Sequence, residues 1–255
     1  MAYGRKDVME RLRRRVAQGG MINGTPAGSG AAAGSAEAGG ADLIAVYHSA
    51  KYETEVGDML AGLLPYGDAN RIVAELGGEV LPAVKETPVL AGVCGTDPFR
   101  VMDIYLKQLK GQGFSGVQNV PTVGLIDGVF RSNLEEAGLG YGLEVEMIRR
   151  AHKLELFTCP FVFGPDDARS MAAAGADCLV AHLGYATRGP IGSQERMTLG
   201  DCASRIREIA EAGRSVNPGI LVLCHGDPVH GHDGARGLME RAEDLSGFFA
   251  KESKR

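Results

Sequence analysis

Residues 220–225, ILVLCH, form a short apolar run that ends on a polar side chain, and similar runs recur along the chain, nearly all of which stop on a polar or very small residue. The other runs are Met21–Gly24, Leu43–His48, Val89–Cys94, Gly116–Asn119, Phe157–Phe163, Leu179–His182 and Gly247–Phe249. Most of them precede a stretch of helical character, and strands that alternate with helices form parallel sheets with right-handed crossovers. Eight such units in 255 residues predict a (β/α)8 TIM barrel, with residues 1–255 as a single domain.

The two ends of the chain modify this prediction. Residues 4–18 have the composition of a charged helix, which we expect to cover the lower opening of the barrel. The chain stops at Arg255, just after the eighth strand, so we expect a truncated or missing final helix. The N-terminal helix or a neighbouring subunit would then cover the bare flank, and we therefore expect a homo-oligomer.

Composition and charge exclude several classes of partner. The formal net charge is -5 and no stripe of basic and aromatic residues is present, so we expect no nucleic acid partner. The N-terminus is charged and no apolar run reaches the ~18 residues that a membrane span needs. We therefore expect a cytoplasmic protein without a membrane anchor. The five cysteines fit neither zinc nor disulfide spacings, which indicates reduced thiols in a core.

Polar residues at the strand ends are the candidate functional groups, because catalytic groups of such barrels lie at the C-terminal ends of the strands. They are Asn23, His48, Cys94, Asn119, His182 and His225. Side chains alternate along a strand, so an inward His182 places Cys178 and Val180 inside as well, and His225 accompanies Leu221 and Leu223. His182 and His225 are the candidate catalytic residues, as acid or base, as anion donors or as metal ligands.

Several loops carry a functional and a structural interpretation. The glycine-rich residues 24–30, with Gly24, Gly28 and Gly30, are either an anion-binding loop or a plain turn. One of Gln118 and Asn119 should line the pocket, and residues 120–141 are long enough for a lid. Asp68 and Asp97 are predicted as helix N-caps, the second with a metal ligand as its alternative. His230 and His232 lie in a metal-capable loop but are expected to be solvated.

Five stretches of the chain resemble the phosphoenolpyruvate hydrolase-like family of TIM-barrel proteins. They are residues 64–70 (LPYGDAN), 89–98 (VLAGVCGTDP), 113–128 (GFSGVQNVPTVGLIDG), 140–146 (GYGLEVE) and 223–226 (LCHG). The family is related at fold level to indole-glycerol-phosphate synthase and to the phosphoenolpyruvate mutase group. The chain departs from the family pattern at Asn23, Thr25 and Pro26 in the first loop, at His48 and at Asp227.

The resemblance implies a small anionic substrate, either a phosphorylated or a keto/enol carboxylic acid, and hydrolase or lyase chemistry at the barrel mouth. It also implies that Gln118, Asn119, Thr122, His182 and His225 are site residues, and that the first loop and Gly226 hold the anion. Cys94 would line the pocket. The paired aspartates of the mutase group are missing, so we predict no metal ligands, although a divalent metal such as Mg²⁺ stays a possible cofactor. The alternative is a non-catalytic anion-binding or regulatory barrel.

Overall fold

A computed structural model describes residues 3–56, 59–184, 197–226 and 236–250, without the side chains of residues 53–56 and 59–60. The strands are β1 (Ile22–Pro26), β2 (Leu43–Val46), β3 (Val89–Gly92), β4 (Gly116–Gln118), β5 (Phe157–Thr158), β6 (Phe161–Val162), β7 (Cys178–His182), β8 (Leu221–His225) and β9 (Gly247–Phe249). The α-helices include α1 (Arg5–Ala17), α2 (Gly30–Ala38), α3 (Ser49–Val56), α4 (Ala69–Ala83), α5 (Met102–Gln112), α6 (Gly128–Glu136), α7 (Tyr141–Lys153), α8 (Pro165–Ala173) and α9 (Leu199–Val216). Short 3-10 helices span Met59–Leu63 and Val123–Leu125.

All nine strands belong to one parallel sheet in the order β5-β4-β3-β2-β1-β9-β8-β7-β6. The two edge strands, β5 and β6, are separated in sequence by only Cys159 and Pro160. Cys159 N–H donates to the Val117 carbonyl on β4 at 3.1 Å, and Val180 N–H on β7 donates to the Pro160 carbonyl at 2.9 Å. The sheet therefore curls back on itself, and the α/β fold is consistent with a TIM-like barrel.

Alternation along the strands separates an inner from an outer set of side chains. The inner set includes Cys178 and Val180 of β7 and Leu221 and Leu223 of β8. The outer set packs against the helices and includes Leu179, Ala181, Val222 and Cys224. The inward positions predicted for β7 and β8 are therefore observed. His182 and His225 lie two residues beyond Val180 and Leu223 and continue the same inward alternation.

Helix α1 lies across the amino-terminal ends of the strands. Its Val8 and Leu12 are buried with the inner set. Arg5 Nε donates to the Asp177 carboxylate at 2.9 Å just before β7, and Arg15 Nε donates to the Met21 carbonyl at 3.2 Å just before β1. This helix therefore shields the lower end of the inner core. The residues after Ala250, where a final helix would follow, lie outside the described residues.

The segments between strands differ from the sequence prediction in three places. Strand β1 continues to Pro26, where the prediction began a glycine loop. Residues 49–66, where the apolar runs predict no element, contain α3 and the 3-10 helix Met59–Leu63. The long connection 120–141 contains the 3-10 helix Val123–Leu125 and helix α6. None of the described helices is long and apolar enough to cross a bilayer.

The predicted cap at Asp68 is confirmed and provides a stability test. The Asp68 carboxylate accepts the Arg71 backbone N–H at 2.9 Å at the start of α4 and also pairs with Arg100 at 2.7 Å. Asp68→Ala should lower the free energy of unfolding by about 1–2 kcal/mol, because an N-terminal donor loses its acceptor. Glu75→Ala, on the exposed surface of α4, should change it by less than about 0.5 kcal/mol in the same urea titration. Equal effects would argue against the cap.

Candidate active site

A cleft, here called the strand-end cleft, opens at the carboxyl ends of the parallel strands. Residues after β1, β2 and β4 form its walls together with side chains of β6, β7 and β8. The lining residues are Pro26, Tyr47, His48, Ser49, Gly62, Leu63, Val120, Pro121, Thr122, Leu125, Phe161, His182 and His225. The cleft therefore combines an apolar wall with three imidazoles and three hydroxyls.

His182 and His225 lie side by side because they occupy paired positions on β7 and β8. Their ring centroids are 5.2 Å apart, and the Phe161 ring lies 5.4 Å from His182 and 5.2 Å from His225. Both side chains are almost fully buried. Burial, and to a smaller extent the nearby His225 and Arg205, holds the pKa of His182 well below its ordinary value. His182 is therefore neutral at physiological pH.

His48 contributes the third imidazole, directly after β2. Its Nε2 lies 2.8 Å from the Gly62 carbonyl oxygen, which can only accept, so Nε2 carries a proton. Its Nδ1 is buried and has no hydrogen-bond partner in the described part of the chain. Burial lowers the pKa of His48, and the bond to Gly62 partly opposes this effect.

Gln118 does not line the cleft itself, but it is hydrogen-bonded to a residue that does. The Tyr47 hydroxyl, which belongs to a lining residue, donates to Gln118 Oε1 at 2.5 Å. Gln118 is completely buried, and its Nε2 finds no acceptor among the residues that the structure describes. The sequence predicted Gln118 but not Tyr47, although Tyr47 continues the inward alternation of Leu43 and Ala45.

Thr122 lines the cleft and contacts a carboxylate that the sequence pattern did not indicate. Glu144 on α7 accepts the Val123 backbone N–H at 2.7 Å and Asn119 Nδ2 at 2.6 Å, and it also bonds to the Thr122 side chain. Glu144 is fully buried, which raises its pKa to about 7 against the opposing effect of these hydrogen bonds. One signal could have identified it: Glu144 lies at helical spacing between the apolar residues Tyr141 and Met147.

Asn119 is not brought to the cleft, in contrast to its predicted role in substrate binding. Its Oδ1 accepts the Phe161 backbone N–H at 2.7 Å, and its Nδ2 donates to the Phe161 carbonyl at 3.2 Å as well as to Glu144. The Asn119 amide therefore forms the hydrogen bonds that a neighbouring strand would otherwise make with the Phe161 backbone, where the chain passes from β5 to β6. Its polar atoms are used within the protein.

Cys94 and Asp97 also lie away from the strand-end cleft. The Cys94 thiol contacts Thr96 Oγ1 at 3.6 Å, and burial raises its pKa, so this thiol stays protonated. Asp97 does not cap a helix, because α5 begins only at Met102. Its carboxylate accepts the Phe99 backbone N–H at 2.9 Å and Asn70 Nδ2 at 2.8 Å. The cap predicted at Asp97 is therefore wrong.

The glycines of the predicted anion loop lie in close contact with neighbouring elements. A Cβ on Gly24 would lie 2.6 Å from the Phe249 ring, one on Gly28 would lie 2.7 Å from Ala50 Cβ, and one on Gly30 would lie 2.8 Å from the Glu79 carbonyl. These glycines therefore permit close contact between elements, and their role in anion binding stays a prediction.

Asn23 and Gly226 also differ from their predicted roles. Asn23 alternates with the inward Ile22, so its side chain lies on the outer face of the sheet near Thr25. At Gly226, φ is +108°, and a Cβ would lie 2.4 Å from the Gly184 carbonyl. The backbone at Gly226, directly after β8, therefore packs closely against the backbone at Gly184, just after β7. His230 and His232, in the loop that follows, lie outside the described residues.

Comparison with known proteins gives the family. The profile of the phosphoenolpyruvate hydrolase-like family matches residues 7–254. The chain is 50% identical over 246 residues to the ToMV susceptible protein tm-1(GCR26) of Solanum lycopersicum, and 49% identical to the ToMV resistance protein Tm-1(GCR237) of the same species. Each alignment covers 96% of this chain and 33% of the relative. The chain thus spans about a third of the length of these curated relatives.

Solved structures agree with the fold. Phosphonopyruvate hydrolase in complex with oxalate and Mg²⁺ superimposes with a TM-score of 0.61 at 13% identity, over 95% of this chain and 79% of that one. A 2,3-dimethylmalate lyase of the PEP mutase/isocitrate lyase superfamily gives 0.60 at 14% identity, over 95% and 80%. At this level of identity the likeness concerns the fold alone.

Proposed function

This chain belongs to the phosphoenolpyruvate hydrolase-like family, and from this membership and the strand-end cleft we propose that it is an enzyme of the hydrolase or lyase type that acts on a small carboxylic acid. The acid occupies the cleft beside His182 and His225, the two proposed catalytic residues. Gln118, His48 and Thr122 are its proposed binding residues.

The unsatisfied polar atoms of Gln118 and His48 carry this proposal. A buried donor or acceptor without a partner costs about 1–3 kcal/mol, and native proteins contain few of them. Two such atoms, Gln118 Nε2 and His48 Nδ1, belong to residues at or next to one cleft. A small hydroxy or carboxylic acid supplies what they lack: a carboxylate oxygen accepts from the Gln118 amide, and a hydroxyl group of the acid donates to the lone pair on His48 Nδ1, because the neutral ring carries its proton on Nε2.

The apolar part of the lining supports a small acid. Leu63, Val120, Pro121, Leu125 and Phe161 exclude water around the imidazoles. Electrostatic interactions strengthen when water is excluded, so a single carboxylate can be bound by few donors. This environment suits a compact carbon skeleton that carries one ionised group.

Magnesium does not fit the described lining. Mg²⁺ binds oxygen ligands, mainly carboxylates and water. The described residues of the cleft offer imidazoles and hydroxyls but no carboxylate, and no group of three metal-capable side chains lies together within the described ranges. Glu144 is occupied by Asn119 and Val123. The proposed chemistry is therefore assigned to side chains alone.

Binding of small acids to the Gln118→Leu variant tests the proposal. Pyruvate, oxaloacetate and phosphoenolpyruvate are titrated against the wild-type chain while imidazole NMR signals and melting temperature are followed. We expect at least one acid to bind and Gln118→Leu to weaken it about 10- to 100-fold, because a charge-assisted hydrogen bond is lost. Gln112→Leu, exposed on α5, should bind as wild type does. Unchanged affinity in Gln118→Leu would refute the carboxylate role.

A binding barrel without turnover is the second candidate function. The names of the tomato relatives describe susceptibility and resistance to ToMV and not a reaction. In that case acids would bind with the same dependence on Gln118, but product analysis by NMR would detect no conversion. Turnover that His225→Asn abolishes would exclude this candidate.

A further inference from the structure

The hydrogen bond at His182 Nδ1 determines which nitrogen of that ring carries a proton. The Gly184 backbone N–H donates to His182 Nδ1 at 3.1 Å. An amide N–H can only donate, so Nδ1 must hold a lone pair, and the neutral ring carries its proton on Nε2. His182 therefore presents a donor at Nε2.

His225 has the opposite arrangement. Its Nδ1 lies 3.1 Å from the Phe249 carbonyl oxygen. A carbonyl oxygen can only accept, so Nδ1 of His225 must carry the proton, and the lone pair of the neutral ring is on Nε2. Two adjacent imidazoles of the same cleft thus differ in tautomer, and the backbone around each ring fixes that difference.

A donor and a base in neighbouring positions fit a defined reaction step. We propose that His225 Nε2 removes a proton from the carbon next to a carbonyl group, while His182 Nε2–H donates to the oxygen on which the charge develops. This inference rests on the proposed function, because the carbonyl compound is the acid in the cleft.

The step balances without a further reactant. The C–H bond breaks and its proton forms an N–H bond at His225 Nε2, which becomes an imidazolium. The electron pair of that C–H bond becomes the carbon–carbon double bond of an enolate, and the carbonyl π pair moves to oxygen beside His182 Nε2–H. In the reverse direction His225 returns the proton to carbon. A lyase that cleaves a bond beside the carbonyl produces the same enolate and uses the same return step.

Burial of His182 supports its role as the donor. Desolvation of the ring holds the pKa of His182 well below its ordinary value, so His182 remains a neutral donor. A preorganised N–H aimed at a developing oxyanion contributes about 10²–10³ in rate, and a positioned base about 10²–10⁴.

Histidine ¹⁵N NMR of the wild-type chain tests the assignment without a substrate. At pH 7 we expect the ¹⁵N shifts to identify a protonated Nε2 on His182 and a protonated Nδ1 on His225. Signals are assigned from His182→Asn, His225→Asn and His152→Gln, the last of which removes a histidine of α7 outside the cleft. The opposite tautomers, or a positively charged His182 at pH 7, would overturn the inference.

Deuterium exchange tests the chemical step with 2-oxobutanoate as the probe. In D₂O the wild-type chain should accelerate exchange at C3, and His225→Asn should slow it about 10²–10⁴-fold, since asparagine can still donate to Phe249 but is no base. His182→Asn, which keeps the acceptor for Gly184, should slow it about 10²–10³-fold. His152→Gln should exchange as wild type does.

The two tests separate the inference from the proposed function. If 2-oxobutanoate binds through Gln118 but does not exchange faster with the wild-type chain, the enolate step is wrong and the acid cleft stands. If none of the acids binds, the proposed function itself is wrong. Urea unfolding of each variant shows whether it is folded, and the tautomer measurement on the wild-type chain decides the assignment where a variant is not.

Discussion

Asn119→Ala should lower the free energy of unfolding by about 3–5 kcal/mol, which makes it one of the most destabilising single changes in the chain. The side chain exchanges two hydrogen bonds with the Phe161 backbone and donates a third to Glu144. Alanine leaves the buried Phe161 N–H and one carboxylate oxygen without a partner, and each such loss costs about 1–3 kcal/mol. Urea unfolding at pH 7 measures the change.

Two further variants test the reason for this loss. Asn133→Ala, on the exposed surface of α6, should change stability by less than about 0.5 kcal/mol. Asn119→Asp should be destabilised more at pH 8 than at pH 5.5, because a second carboxylate would face Glu144. A loss below about 1 kcal/mol in Asn119→Ala would mean that the Phe161 backbone is satisfied in another way.

The eight strands were predictable because each is a short apolar run between turn formers, and every predicted run coincides with an observed strand. The break within the fifth run was not predicted. Pro160 has no N–H to pair, and the chain there changes its partner from β4 to β7, as the bonds of Cys159 and Pro160 show. The residue at which the chain changes its partner strand is determined by contacts with strands distant in sequence. A local sequence pattern does not contain this information.

The connections were harder to predict than the strands. Residues 49–56 and 128–136 form helices with few apolar side chains, so their periodicity was too weak to distinguish them from loops. The pair Asp97-Pro98 has the composition of a helix start, but Asn70 and Arg100 hold the Asp97 carboxylate in a turn. The Asn70 contact comes from α4, and together with Arg100 it overrules the local preference.

The candidate site was predictable where alternation decides it. The parity of β7 and β8 correctly predicted that His182 and His225 face inward on adjacent strands. Parity could not distinguish Gln118 from Asn119, because both are amides at the end of the same strand. Glu144 was not predicted as a site residue, because its role depends on contacts with residues 119–123 that form only in the folded chain.

Glu144→Gln should remove a pH dependence of stability that the wild-type chain shows between pH 5 and 8. The carboxyl has a pKa of about 7 in the folded chain against an ordinary value of 4.5, so the folded state binds this proton more tightly than the unfolded state does. Its contribution to stability is complete below pH 4.5 and is lost as pH rises through 7. For a buried group the loss is on the order of 2 kcal/mol.

The measurement is the difference in the free energy of unfolding between wild type and Glu144→Gln, which should fall from pH 5 to pH 8. Among the titratable groups near Glu144, burial raises the pKa of Cys94 and of Tyr141, so neither of them titrates in this window. Glu146→Gln is the matched control, since Arg149 and Arg150 lower the pKa of Glu146 and its contribution is already complete above pH 5. Parallel pH curves for wild type and Glu144→Gln would show that Glu144 ionises as an ordinary carboxylate, and its contacts with Thr122 and Val123 would then not depend on its protonation.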